Sequence, residues 1–308
     1  GHSGLVINTV SSTDKDYLDI FVQDISSNVA DNDEAGVFVE LSDGSLIVFE
    51  HSTDPVSPES VRSAFHLLQV YWYDIVLTRS PSATVIVTAK PAKLSERLEA
   101  VGAKGLSLAS APINANPPTY ADALEIGTTL VFDRTNWYVP QRVYVFASHD
   151  EAVEGSRVIN IQHSLQEGTS AADGDPYDGL AILGVLVTVI DNNMAEVVIV
   201  EEDGDTVVSE AGVPIDMDTY NIVLTKEPTG PVAIRIDEDG QTTNEASVFF
   251  EDSAHLNTQN EPHNWYEPQI VTVTADQDYE KEGLHYTRLD HVITSDLDHF
   301  LGLSVNSV

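Results

Sequence analysis

The sequence contains no cysteine. Disulfides, cysteine-ligated iron–sulfur clusters, thiolate zinc sites and cysteine nucleophiles are thereby excluded, but no compartment is, because a secreted protein need not carry disulfides. Positive charge is scarce: 14 Lys and Arg stand against 50 Asp and Glu, a formal net charge of −36. A phosphate backbone would be repelled by such a surface, so nucleic acid is excluded as a partner. The same surface suits solubility, high salt or divalent cations. No apolar run approaches the ~18 residues of a membrane-spanning helix. The first residues, Gly1-His2-Ser3-Gly4, include no Met and no signal peptide, so a processed form or a window on a longer chain is expected. Absent too are G-x-S-x-G, a P-loop, G-x-G-x-x-G, H-E-x-x-H and any Asn-x-Ser/Thr sequon.

What remains is enough to fold. The 308 residues suggest about two domains, and 42% hydrophobic content with 11 Tyr, 9 Phe and 3 Trp can fill real cores. An internal repeat organises them. Asn136-Trp137-Tyr138-Val139-Pro140-Gln141-Arg142-Val143 returns as Asn264-Trp265-Tyr266-Glu267-Pro268-Gln269-Ile270-Val271, 128 residues later. Acidic turns follow both and end in Glu154-Gly155 and Glu282-Gly283, again 128 apart. Tyr73-Asp74-Ile75-Val76-Leu77-Thr78 echoes Tyr220-Asn221-Ile222-Val223-Leu224-Thr225, and Asp31-Asn32-Asp33 echoes Asp191-Asn192-Asn193.

The spacing from Tyr17 to Asp31 equals that from Tyr177 to Asp191, and His2-Ser3 echoes His163-Ser164. Residues 1–33 therefore read as the last two strands of a preceding module, with Leu5, Ile7, Leu18, Ile20 and Val22 alternating. They are expected to dock on a neighbouring module or subunit. Module one is expected at 34–193 and module two at 194–308, the latter stopping within a final strand if Phe300 matches Tyr177. Module one carries 32 additional residues. Some surround Pro58 to Tyr71. Others include Leu94, Leu98 and Val101, whose spacing predicts a short amphipathic helix, before a loop over Pro112 to Pro118.

Elsewhere side chains alternate in steps of two, as in Val143, Val145 and Ala147 or Val271 and Val273, with Gly, Asn, Asp or Pro every 8–12 residues or so. The expected fold class is all-β: two tandem Ig-like antiparallel sandwiches after an orphan strand pair, joined by links too short to leave slack.

In order, the chain shows Asp-Asn-Asp, an acidic strand, Val208-Ser209-Glu210, Asn-Trp-x-x-Pro-Gln-x-Val-x-Val, and an acidic turn such as Asp276-Gln277-Asp278-Tyr279-Glu280 closing in Glu-Gly. That order resembles the Calx-beta family, and most of all its tandem copies in large bacterial surface proteins. The resemblance covers nearly the whole chain; the module-one insertions depart from it. It implies calcium at one sandwich end, on Glu210, Asp276, Asp278, Glu280 and Glu282 of module two. Calcium requires six to eight oxygens at about 2.3–2.6 Å. In module one the turn offers Asp150 and Glu154, but Ser148 replaces Asp276 and Ala152 replaces Glu280, so that site is expected to be weaker or absent. The links, with Asp191 in the second, are candidates to share an ion between modules. The competing reading is that acidic turns merely solvate a polyanionic surface.

Asp237-Glu238-Asp239-Gly240 reads as a β-turn, because Arg235 stands where an EF-hand needs an acid. Trp137, Trp265, His163 and His291 are assigned to packing. Repetition of framework residues, not of a reactive set, argues against an enzyme. The expected function is a non-catalytic extracellular or cell-surface rod or filament subunit whose partners are copies of itself or further modules. Strand addition from residues 1–33 would join the copies. The alternative is a calcium-binding adhesin segment recognising a surface glycan or protein through the module-one insertion.

Overall fold

A computed structural model describes residues 2–14, 25–29, 31–41, 46–51, 71–110, 127–169, 174, 176–201, 205–210, 217–238, 240–244, 247–250, 265, 267–277, 280, 283, 285–294, 303, 305 and 307–308. Tyr17, Leu18, Ile20, Val22, Pro58, Asp278, Glu282, Phe300 and the stretch Pro112 to Pro118 lie outside them. Among the described residues the fold is all-β with one short helix.

Strands β1 (His2–Val6) and β2 (Ile25–Val29) form an antiparallel two-stranded sheet of their own. Leu5, Val6 and Ile25 on this hairpin are more than half exposed. Its register corrects one sequence match. In the first sandwich Val189 lies opposite Arg157, six residues before His163, whereas Val29, which corresponds to Val189, lies opposite His2 itself. His2 thus takes the place of Arg157 and not of His163.

The first sandwich contains β3 (Val37–Leu41), β4 (Leu46–His51), β5 (Trp72–Leu77), β6 (Val85–Pro91), β7 (Leu106–Ala109), β8 (Thr128–Phe132), β9 (Gln141–Ser148), β10 (Arg157–Glu167) and β11 (Val185–Ile190). One layer joins β3, β5, β9 and β7; the other runs β4, β11, β10, β6, β8. Most neighbours are antiparallel, but β4 runs parallel to β11 through Phe49 and then parallel to β9 at Glu50 and His51. One strand therefore serves both layers. Alternation explains the core: Val143, Val145 and Ala147 point inward, as do Val185, Val187 and Val189.

Helix α1 (Glu96–Val101) forms where the 3–4 spacing predicts it, with Ser95 at its N-cap and Gly102 at φ 91° ending it. No residue of the helix is buried, and Val101 is exposed, so its apolar face is not a core face. The segment after it is no appendage. Strand β7 pairs with β9, and Leu106 and Leu108 are buried in the main core.

The second sandwich contains β12 (Val197–Glu201), β13 (Met217–Leu224), β14 (Val232–Asp237), β15 (Thr242–Thr243), β16 (Ser247–Phe250), β17 (Gln269–Ala275) and β18 (Asp290–Ile293). One layer runs β12, β13, β17, β15 and the other β16, β14, β18. Trp137 and Trp265 precede corresponding strands, β9 and β17, with Trp137 half-buried against the first core and Trp265 fully buried in the second. Tyr73 Oη bonds His163 Nε2 at 2.9 Å, and Tyr220 Oη bonds His291 Nε2 at 2.7 Å, each pair linking the two layers of its sandwich. The Leu183 carbonyl accepts from His163 Nδ1, so that ring takes the Tyr73 proton on Nε2 and stays neutral; burial lowers its pKa. Thr78 Oγ1 donates to the Glu34 and Gly36 carbonyls, as Thr225 Oγ1 does to those of Met194 and Glu196. Between the sandwiches Phe49, Ile190 and Val223 form a small apolar cluster with Ile47 and Val198.

Candidate metal centre

The crossing point of β4 between layers sets the position of Glu50. Pairing with β11 ends at Phe49 and pairing with β9 begins at Glu50. The Glu50 side chain is fully buried there. The β9–β10 turn brings Asp150 and Glu154 to the same place, and one carboxylate oxygen from each of Glu50, Asp150 and Glu154 lies within 4.8 Å of the others. That is close enough for the three to hold one cation.

A cation is already among them. Arg157, the first residue of β10, places Nη2 2.9 Å from Glu50 Oε1 and 2.7 Å from the Lys104 carbonyl. Its Nη1 lies 3.0 Å from Glu154 Oε1, an ion pair without hydrogen-bond alignment. Asp150 is held by backbone: Lys104 N–H donates to one oxygen at 2.6 Å and Ala152 N–H to the other at 2.8 Å. Asp191, fully buried, accepts from the amides of Glu154, Gly155 and Asn193 at 3.0, 2.8 and 2.6 Å. Asn192 donates to the Glu50 carbonyl and bonds the ring of His149. Gly155 adopts φ 73° and its repeat partner Gly283 φ 72°, a backbone region that explains the recurring Glu-Gly.

Burial pushes the Glu50 carboxyl up to about 8 against the pull of Arg157, with Asp150 and Glu154 adding to the rise. Burial also raises Glu154. Burial thus favours the protonated form of Glu50 even beside the guanidinium. Both serve the same end, because three close, desolvated carboxylates cannot all carry uncompensated charge.

The calcium requirement can be set against this donor set. Asp150 has both oxygens committed to backbone amides, as has Asp191, and the guanidinium stands against Glu50 and Glu154. Calcium does not fit beside Arg157. The first site is an acidic cluster with a protein cation in it. Ala152, in the position of Glu280, is buried and bonds Asp150 through its amide.

In the second sandwich Glu210 accepts from Gln277 Nε2 at 3.2 Å, and both line an open cavity with Gly283 and His285. Asp276 accepts from Thr243 Oγ1, and Glu280 is exposed. Asp278 and Glu282 belong to the residues outside the described set, so the described residues bring Glu210 to this cavity without completing a ligand group.

Sequence reasoning missed Glu50 and Arg157. The 160-residue spacing that ties Asp31 to Asp191 also carries Val48 onto Val208 and Glu50 onto Glu210. The 128-residue spacing carries Arg157 onto His285. Glu50 was thus legible from the repeat.

No family model matches the sequence, and no curated protein is significantly similar to it. Among solved structures, the calcium binding domain CBD12 of CALX1.1 aligns at 10% identity and TM-score 0.29, over 83% of this chain and 79% of that one. The Streptococcus agalactiae polypeptide BspA C terminal domain aligns at 10% identity and TM-score 0.24, over 89% and 97%. The CsuC–CsuE chaperone–tip adhesion subunit pre-assembly complex of Acinetobacter baumannii pili aligns at 10% identity and TM-score 0.22, over 84% of this chain and 99% of that one.

Proposed function

We propose that this chain is a non-catalytic extracellular structural protein, a rod or filament subunit of tandem Ig-like, Calx-beta-like modules at 34–193 and 194–308. In this reading calcium stiffens module two through Glu210 and its acidic turn, and copies join head to tail by strand complementation. The observation that carries it is the β1–β2 hairpin, a separate two-stranded sheet with exposed Leu5, Val6 and Ile25. Apolar strands with unsatisfied edges favour addition to another sheet. Strand β2 corresponds to β11, which pairs with Arg157–Ile161. The matching segment of the second sandwich is His285–Leu289, where Leu289 and Val308 already exchange two backbone hydrogen bonds. A neighbouring copy would lay β2 along that segment.

Sedimentation and negative-stain microscopy of the full chain test this. Concentration-dependent linear assemblies are expected, lost in Ser27→Pro, which removes a ladder donor from β2. Monodisperse monomers at high concentration overturn the assembly reading. A melting temperature identical with and without chelator overturns calcium.

The open cavity beside Glu210 favours a second reading, a calcium-binding adhesin segment that takes a surface glycan or protein there. Calcium-dependent retention on a glycan array, abolished by Glu210→Gln, distinguishes it.

A further inference from the structure

We propose that β2 of a neighbouring copy gives up its pairing with β1 and completes the second sandwich by entering the open cavity beside Glu210. The proposal rests on the assembly reading above and fixes how the copies join. In the first sandwich β11 lies between two strands, antiparallel to β10 over Arg157–Ile161 and parallel to β4 over Leu46–Phe49. The repeat carries Leu46–Glu50 onto residues 206–210 and Arg157–Ile161 onto 285–289. Where these two counterparts meet, a cavity of about 600 Å³ takes the place of β11, lined by Val207, Val208, Ser209 and Glu210 from the one and by His285 and Thr287 from the other. Val308 already holds the place of Val185, bonded in both directions to Leu289, so the cavity runs along the remainder of that strand position.

Strand β2 matches this slot in register. It is the counterpart of β11 by the 160-residue spacing, and Val29 lies opposite His2 as Val189 lies opposite Arg157. Strand β1 therefore holds the same edge of β2 that a neighbour's 285–289 segment would take, and one must yield to the other. A two-stranded hairpin is marginal by itself, and this one leaves Leu5, Val6 and Ile25 more than half exposed. In the slot β2 would be paired on both edges and would lay one face on a core. Two further features fit the same occupant. Leu106 of the first core, opposite Ala147, becomes Thr242 in the second, opposite Ala275, with its hydroxyl buried and without a hydrogen-bond partner among the described residues. Thr242 lines the cavity, and Ser27 falls at the place of Val187, which points into the first core, so a second hydroxyl would arrive beside the first. The other feature is Asp31. Asp191 accepts from the amides of Asn193, Glu154 and Gly155, whereas Asp31 accepts from that of Asp33 at 2.9 Å. A neighbour's Gly283, with φ 72° against 73° for Gly155, would supply a further amide.

The chain has no cysteine, so introduced ones report alone. Leu289 is a hydrogen-bonded position, which makes Tyr286, three residues earlier, a non-hydrogen-bonded one. Its partner in this register is Asn28, with Cα atoms about 4.5 Å apart, within disulfide reach. Asn28→Cys mixed with Tyr286→Cys under mild oxidant should give covalent dimers of one chain of each, and neither variant alone should do so. In the hairpin Asn28 lies opposite Ser3. The oxidised double variant Ser3→Cys, Asn28→Cys therefore locks β1 onto β2. It should sediment as a monomer at concentrations where the wild type assembles, and reduction should restore assembly. Asp31→Ala should raise the concentration needed for assembly roughly tenfold with little change in the urea midpoint, and Asp31→Asn should stay close to the wild type. Assembly of the locked chain at the wild-type level, equal dimerisation of Asn28→Cys with itself, or an assembling mixture without the disulfide between positions 28 and 286 overturns the proposal and leaves the rod reading standing. A wild type that stays monomeric overturns both. If the reduced double variant does not assemble, the mixed disulfide decides: its presence supports the exchange and its absence overturns it.

Discussion

The two sandwiches share a frame and differ at one end. Each has a tyrosine–histidine bond between layers, a threonine clasp at the end of its second long strand, a tryptophan before the matching strand and a left-handed glycine after the acidic turn. Yet Arg157 stands in the first where His285 stands in the second, and Ala152 where Glu280 stands. Frame residues are tied down by packing and backbone geometry. The acidic end needs only that its charge be balanced, and more than one balancing group will do that.

Four measurements break or sharpen this comparison. Trp265→Ala should cost about 3–5 kcal/mol in urea unfolding, since the side chain is fully buried, against about 1–2 kcal/mol for the half-buried Trp137. Equal losses would mean the two tryptophans play the same energetic part despite their different burial. Asp191→Ala strips the acceptor from three backbone amides and should cost about 2–3 kcal/mol. At the first link Asp31 accepts only from Asp33 among the bonds described, and Asp31→Ala should cost under about 0.5 kcal/mol. Tyr73→Phe and Tyr220→Phe should each cost about 1 kcal/mol, and unequal values would show that the interlayer bond is not one shared device.

The fourth measurement concerns pH. Glu50 has its pKa raised from 4.5 to about 8 in the folded chain. Its contribution to stability is therefore fully present below about pH 4.5 and is lost as pH rises through about 8. Glu50→Gln should flatten that slope, with urea midpoints at pH 5 and pH 8 moving closer together. An unchanged slope would assign the pH dependence to Glu154, which burial raises in the same direction.

Much of the frame was legible because a step of two marks which side chains share a face, and the 128-residue repeat marks which strands correspond. Pairing partners were not legible. Alternation in Leu46 to Glu50 says nothing about whether β4 runs parallel to β11 or passes to β9. The hairpin register was misjudged for a similar reason, since one histidine match carries less weight than a run of backbone bonds. Strand β7 was hidden inside an insertion, where two leucines, Leu106 and Leu108, were too short a run to announce a core strand. Asp150, Glu154 and Asp191 were visible as an acidic turn and link. Arg157 was not, because a single basic residue next to an acidic turn has no pattern of its own until folding places it against Glu50.

The parallel pairing of β4 with β11 has a mechanical consequence. Leu46–Phe49 lies near the start of the first sandwich and Val187–Ile190 at its end. Tension applied to the two ends would drag these strands past each other lengthwise, loading the rungs between them together instead of peeling them one at a time. Rupture under pull is governed by the rate of crossing that barrier. A module stitched in this way resists stretching more than its equilibrium stability alone would suggest.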